Sequence, residues 1–167
     1  MPNKPATRAQ IVALLAQFAA IRRDGDARAH GPRGNAYAGD ERECRLAWAE
    51  DHLGHARGKL ESFNDLDGRQ ASYLLDIAHG KLSALDKKLG QEWQRLGVNS
   101  PPDYFTAMLT QRREVARLGK LGWCLRGRQL RELDRVGKWR LVQILTSRPT
   151  PAPPPIGASY RPFGDRA

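Results

Sequence analysis

The stretch LDGRQASYLLDIAHGKLSAL, residues 66–85, is typical of a capped α-helix. Asp67 is a good N-cap because its carboxylate can accept a hydrogen bond from the backbone amide three residues on, where Gln70 can return one. The apolar side chains that follow recur at helical spacing: Ala71, Leu74, Leu75 and Ile77. The pattern predicts a helix that begins at the aspartate and continues, through a kink at Gly80, as far as Gly97.

A second stretch, LRGRQLRELDRVGKWRLVQIL at residues 125–145, nearly repeats the first one 59 residues later. The identical pairs are Leu66 and Leu125, Gly68 and Gly127, Arg69 and Arg128, Gln70 and Gln129, Leu74 and Leu133, and Leu82 and Leu141. We therefore expect the same helix entry twice, with a helix after Gly127 that Gly137 separates from a last helix over residues 139–146. Either the common physics of helix entry or the duplication of a helical lobe explains the pair.

Start and stop signals mark three further helices. Thr7 caps a first helix that ends near Arg23, Asp40 or Glu41 opens a second that ends at Gly54, and Ser100 followed by proline opens a third. Residues 24–39, rich in Gly and Asp, are expected to form a mobile loop. No stretch alternates at a period of two, so we predict an all-α fold, a compact bundle of about six helices that can comprise two related lobes.

The chain divides by composition into three regions. We expect a helical module over residues 1–98, a basic helical region over 99–148 packed on it, and an extended Pro-rich tail over 149–167. No apolar run is long enough to span a membrane, and the first residues lack the basic-then-apolar order of a signal peptide. These features predict a cytoplasmic protein without a membrane partner.

The basic charge is concentrated in one region. The net charge is +10, and residues 101–148, with eleven Lys and Arg against four Asp and Glu, carry +7 of it. A clustered excess suits a polyanionic partner, so nucleic acid is the expected partner. We expect DNA rather than RNA, a choice that the charge pattern does not make. The candidate contact residues are Arg112, Arg113, Arg117, Lys120, Arg126, Arg128, Arg131, Arg135, Lys138 and Arg140.

An arginine face is predicted on the helix after Gly127. Arg128, Arg131 and Arg135 follow the i, i+3, i+7 spacing of one helical face, which would lay guanidinium groups on phosphates. The stretch LGKLGWCLRGRQLRELDR, residues 118–135, also has the cadence of a helix-turn-helix element. The alternative is a solvated face partly neutralised by neighbouring acids. Trp123 and Trp139, which flank this region, are assigned to the core.

Three common catalytic motifs and the usual zinc-ligand spacings are absent from the sequence. The sequence contains no G-x-S-x-G, P-loop or H-E-x-x-H pattern, so we predict that the protein is not an enzyme. Cys44, His52 and His55 follow a C-x7-H-x2-H spacing that is not typical of zinc sites, even with Cys124 as a fourth ligand. We therefore expect no metal or cofactor and two reduced cysteines.

Three segments of the first half carry a family pattern: TRAQIVALLAQFA, ERECRLAWAEDHLG and LESFNDLDGRQASYLLDIA. The matching positions are Gln10, Ile11, Arg45, Trp48, Leu53, Gly54, Ser62, Phe63, Asp65, Leu66, Gln70, Ala71 and Ser72. Over residues 7–78 the chain resembles the helical modules of phage Mu GemA-like regulatory proteins. The resemblance implies an all-helical module found with phage and mobile-element proteins of DNA metabolism, and it carries over no catalytic residue.

Together these patterns predict a non-enzymatic nucleic-acid-binding protein, a regulator or accessory factor of phage or mobile-element type. The basic C-terminal face would contact phosphates, and the N-terminal module would serve as scaffold. The alternative is an adaptor or inhibitor that docks on an acidic or nucleic-acid-binding protein.

Overall fold

The computed structural model describes residues 2–110 and 128–152, and six α-helices lie in these ranges. They are α1 (Arg8–Arg23), α2 (Glu41–Leu53), α3 (Gly68–Ala78), α4 (Ala84–Arg95), α5 (Pro101–Thr110) and α6 (Arg135–Thr146). One isolated bridge pairs Pro5 with Asp67, and the described residues contain no strand. The predicted all-α fold is confirmed, while most of the predicted Pro-rich tail lies outside the described residues.

Side-chain caps define the helix starts. At α1, α2, α3 and α4 a capping residue accepts a hydrogen bond from the third helical amide, and the side chain at that third position bonds back to the cap's own amide. The pairs are Thr7 with Gln10, Asp40 with Glu43, Asp67 with Gln70, and Ser83 with Asp86. Each cap contributes about 1 kcal/mol by satisfying amides that would otherwise lack partners.

The predicted helix through Gly80 is wrong. α3 ends at Ala78, and Gly80 adopts a left-handed backbone with φ of 68°. Ser83 then caps a separate helix, α4. The helix is interrupted here because a glycine accommodates the left-handed turn without strain, and the serine supplies a new start.

The six helices pack around two separate apolar cores. The first core, from α1, α2 and α3, centres on Leu14, Phe18, Trp48 and Leu74, which are almost completely buried. The second core joins α4, α5 and α6. Its members include Leu89, Trp93, Phe105, Leu133, Leu141 and Leu145. α4 therefore belongs with the second lobe, so the two cores separate between α3 and α4, earlier than the predicted boundary at residue 98.

The lobes meet where α6 begins. Gly54, at the end of α2, has φ of 75°, and a Cβ built on it would lie 3.0 Å from side-chain atoms of Asp134 and of Val136. Leu85 packs against both cores. The close approach at Gly54 places the α2 terminus directly on the first turn of α6.

The two lobes repeat one helix entry, but not in the predicted register. Each copy is a 3-10 turn, a buried leucine and an aspartate that caps the next helix: Phe63–Asp65, Leu66 and Asp67 before α3, and Leu130–Glu132, Leu133 and Asp134 before α6. The equivalent aspartates are 67 residues apart, not 59. The second L-x-G-R-Q segment is therefore no helix start, because its Arg128 and Gln129 precede the turn.

Residues 24–39 are joined to α2 by hydrogen bonds. Trp48 donates its indole N–H to the Arg28 carbonyl at 3.0 Å, and His52 Nε2 lies 2.9 Å from the His30 carbonyl oxygen. Tyr37 donates its hydroxyl to Asp51 at 2.5 Å. These bonds fix one side of the loop to the helix that supplies Trp48 to the first core.

Candidate nucleic-acid interface

The arginines of the second repeated stretch do not form the predicted helical face. The helix predicted to start after Gly127 begins only at Arg135, where Asp134 is the cap. Gly137, predicted as a break, lies inside α6 and donates its N–H to Asp134 Oδ1 at 2.7 Å. The aspartate determines this start because a side-chain acceptor three residues before an amide is a stronger start signal than a glycine.

Arg128, half-buried, is held by an acidic neighbour. Its guanidinium lies 3.2 Å from Asp134 Oδ2, in a cleft of about 430 Å³ between the lobes. Asp51 and Glu132 also line this cleft, together with Arg33. The described lining of the cleft therefore combines acidic and basic side chains, which is less favourable for phosphates than a purely basic site.

Lys138 lies inside the molecule rather than on a basic face. Its Nζ is 2.9 Å from Asp86 Oδ1 and 5.3 Å from the ring centroid of Tyr73, and its side chain is 18% exposed. Burial alone would lower the pKa of Lys138, but Tyr73 and Asp86 outweigh burial and raise it. The lysine thus links α6 to α4 and to the first lobe, and its charge is already matched by a carboxylate.

The remaining described candidates are on the surface. Arg131 is exposed, and Arg135 and Arg140 are half-buried. α6 carries three basic residues and no acidic one. The other candidates, Arg112, Arg113, Arg117, Lys120 and Arg126, lie outside the described residues. Of the predicted contact residues that the structure describes, Arg131, Arg135 and Arg140 are therefore the ones left for contact with a polyanion.

Trp139 is on this surface, and its assignment to the core is wrong. The residue is 52% exposed, whereas Trp48 and Trp93 are 0% and 7% exposed. At 100° per residue, position 139 lies opposite the buried Leu141 on the α6 helix. The helical spacing of the apolar residues after Gly137 was the signal that would have placed this tryptophan outside. We call Arg131, Arg135, Trp139 and Arg140 the α6 surface.

A groove beside the α6 surface separates α5 from the turn Leu130–Glu132. Its volume is about 1060 Å³, and its described lining residues include Arg131 and Arg128, of which Arg128 is paired with Asp134. Leu109 and Leu130 supply apolar lining, and Arg131 belongs both to the groove and to the α6 surface. This combination of apolar lining and guanidinium groups suits a ligand with flat rings and negative charge.

The cysteine and histidines considered as metal ligands contact other groups. Cys44 is buried, and its Sγ lies 3.7 Å from the Gly39 carbonyl oxygen, while His52 faces the His30 carbonyl. Burial lowers the pKa of His55, and Lys59 adds to this effect. Over residues 2–110 and 128–152, no three His, Cys, Asp or Glu side chains are grouped as a metal site would require.

Comparison with known proteins assigns this chain to no family. No protein-family model, no curated protein and no solved structure matches this chain. The likeness of residues 7–78 to GemA-like modules therefore stays a prediction from the sequence. Within the described ranges, none of the helices combines the length and the hydrophobicity that crossing a membrane demands.

Proposed function

We propose that this protein binds nucleic acid without catalysis, as a regulator or accessory factor, and that the α6 surface contacts the phosphates. The observation that carries the proposal is a half-exposed tryptophan next to arginines on a helix without acidic residues. The sequence supplies five further basic residues between positions 112 and 126, outside the described residues. The phage or mobile-element setting, and DNA as the favoured partner, rest on the GemA-like pattern of residues 7–78.

The energetics follow from counterion release. Each guanidinium that neutralises a phosphate frees a condensed cation, so the logarithm of the affinity falls linearly with the logarithm of salt concentration. Removing three such contacts lowers this slope by about three on duplex DNA and by about two on a single strand. Phosphate contacts supply affinity but little sequence preference.

The test compares two charge-matched triple variants in fluorescence anisotropy titrations with labelled DNA and RNA over a salt series. The first variant removes the α6 surface cations: Arg131→Gln, Arg135→Gln and Arg140→Gln. The control removes three exposed cations from α1 and α4: Arg8→Gln, Arg23→Gln and Lys88→Gln. We expect the first variant to lose affinity and salt slope, and the control to retain both. An equal loss in both variants, or no binding by the wild type at low salt, would contradict the proposal.

A protein partner is the second candidate, favoured by the apolar lining of the groove between α5 and Leu130–Glu132. An adaptor or inhibitor would use this groove for an apolar side chain of an acidic partner. Purification without nuclease treatment separates the two functions. A nucleic-acid binder retains material that absorbs at 260 nm, whereas an adaptor retains a discrete protein.

A further inference from the structure

Trp139 differs from the other described tryptophans in what surrounds it. Trp48 packs against Phe18 and Trp93 against Tyr104, with ring centroids 5.1 and 5.7 Å apart, so both are parts of a core. Trp139 is 52% exposed, on the side of α6 away from the second core. The core therefore does not account for the indole ring at this position.

Arginines flank Trp139 in the sequence of α6. Arg135 precedes Trp139 by one helical turn, and Arg140 follows it directly. Backbone phosphates accompany every base of a nucleic acid, so a ring that stacks on a base needs cations close to it. Binding surfaces for single strands combine these two elements, an aromatic platform for bases and positive charge for the backbone.

A duplex does not offer this contact, because its bases are stacked on each other and present only their edges in the grooves. An unpaired base presents a free face on which an indole can stack, and this stacking depends little on the base sequence. We propose that Trp139 is a base-stacking residue and that the substrate class of the α6 surface is single-stranded nucleic acid. This proposal rests on the proposed function and specifies its ligand.

The experiment uses the full chain with Trp139→Leu and Trp139→Phe, titrated against a labelled 15-nucleotide single strand and against the same sequence as a duplex. Leucine retains an apolar side chain without a π-face, and phenylalanine retains a π-face. Loss of one stacked base predicts a 5- to 150-fold weaker single-strand affinity for the leucine variant, by the usual range of about 1–3 kcal/mol. The phenylalanine variant is expected to recover most of this loss, and duplex affinity to stay unchanged in both.

Two controls make the result interpretable. Val12→Ser changes another exposed apolar residue, 56% exposed on α1, and should leave all affinities unchanged. Tryptophan fluorescence of the wild type minus that of Trp139→Phe isolates the Trp139 signal, which a single strand should quench. Because Trp139 is half-exposed, both of its variants should retain the wild-type far-ultraviolet circular dichroism.

The possible failures are distinguishable. If Trp139→Leu binds single strands as tightly as the wild type while the triple arginine variant loses binding, stacking is refuted and the proposed function stands. If Trp139→Leu weakens single strand and duplex equally, the preference for unpaired bases is refuted. If the wild type binds neither, the proposed function and this inference both fail.

Discussion

Replacing Lys138 by glutamine should destabilise the protein by about 2 kcal/mol. The side chains of Lys138 and Asp86 are 18% and 25% exposed, and the atoms Nζ and Oδ1 are 2.9 Å apart. Breaking a fully buried pair costs about 3–5 kcal/mol, and an exposed pair contributes about 0–1 kcal/mol. We expect a value between these limits because both side chains are partly exposed, and because the Ser83 hydroxyl, which donates to Asp86 Oδ2 at 2.7 Å, is not removed by the substitution.

Thermal and urea unfolding measure this loss. For a chain of this size 1 kcal/mol corresponds to about 2–4 °C in Tm, so Lys138→Gln should melt about 4–8 °C below the wild type. Lys88→Gln, an exposed lysine on the same helix as Asp86, is the matched control and should change stability by less than about 0.5 kcal/mol. A double-mutant cycle with Asp86→Asn should give a coupling free energy above about 1 kcal/mol.

The pH dependence of stability tests the Lys138–Asp86 pair in a second way. Burial would raise the pKa of Asp86, but hydrogen bonds from Ser83 and Lys138 outweigh it and hold this pKa below its ordinary value. The stabilisation is therefore present at neutral pH and is lost as pH falls through the lowered pKa. The difference in the free energy of unfolding between the wild type and Lys138→Gln should therefore decrease in acid. A loss of stability no larger than that of Lys88→Gln, with no coupling, would refute the inward position of Lys138.

Two further predictions concern the contacts of α2. Gly54→Ala should lower the free energy of unfolding by about 1–3 kcal/mol, since Gly54 has φ of 75° and its Cβ would lie 3.0 Å from Asp134. Urea unfolding measures this loss, and an unchanged unfolding midpoint would contradict the close approach of the lobes. Burial lowers the pKa of His52, so its neutral form stabilises the fold above the ordinary pKa of about 6.5, and that contribution is lost as pH falls below it. His52→Gln should therefore show a smaller decline of Tm between pH 7 and pH 5 than the wild type, and an identical decline would refute this assignment.

Helix starts were predictable because their signals are local. Thr7 with Gln10 and Asp67 with Gln70 form the expected capping boxes, in which donor and acceptor are three residues apart in sequence. The all-α class followed from the same short-range patterns. These features depend on backbone amides near the cap, and no distant contact is needed to form them.

The sequence predictions were wrong where distant contacts or competing start signals determine the structure. The L-x-G-R-Q identity suggested a start at Gly127, but the cap that matches Asp67 is Asp134, which also contacts α2 at Gly54. The position of Lys138 depends on Asp86, 52 residues earlier, which no helical pattern indicates. Trp139 was different, because the spacing of the neighbouring leucines was sufficient to place it outside the core.

Nuclear magnetic resonance with the ¹⁵N-labelled chain tests the central claim most directly. Assigned amide and tryptophan indole signals would be followed while an unlabelled single-stranded oligonucleotide is added at low salt. The α6 surface predicts the largest shift changes at Arg135, Trp139 and Arg140, including the Trp139 indole N–H, and small changes over α1. Changes confined to the first lobe, or none at saturating oligonucleotide, would contradict nucleic-acid binding by the α6 surface.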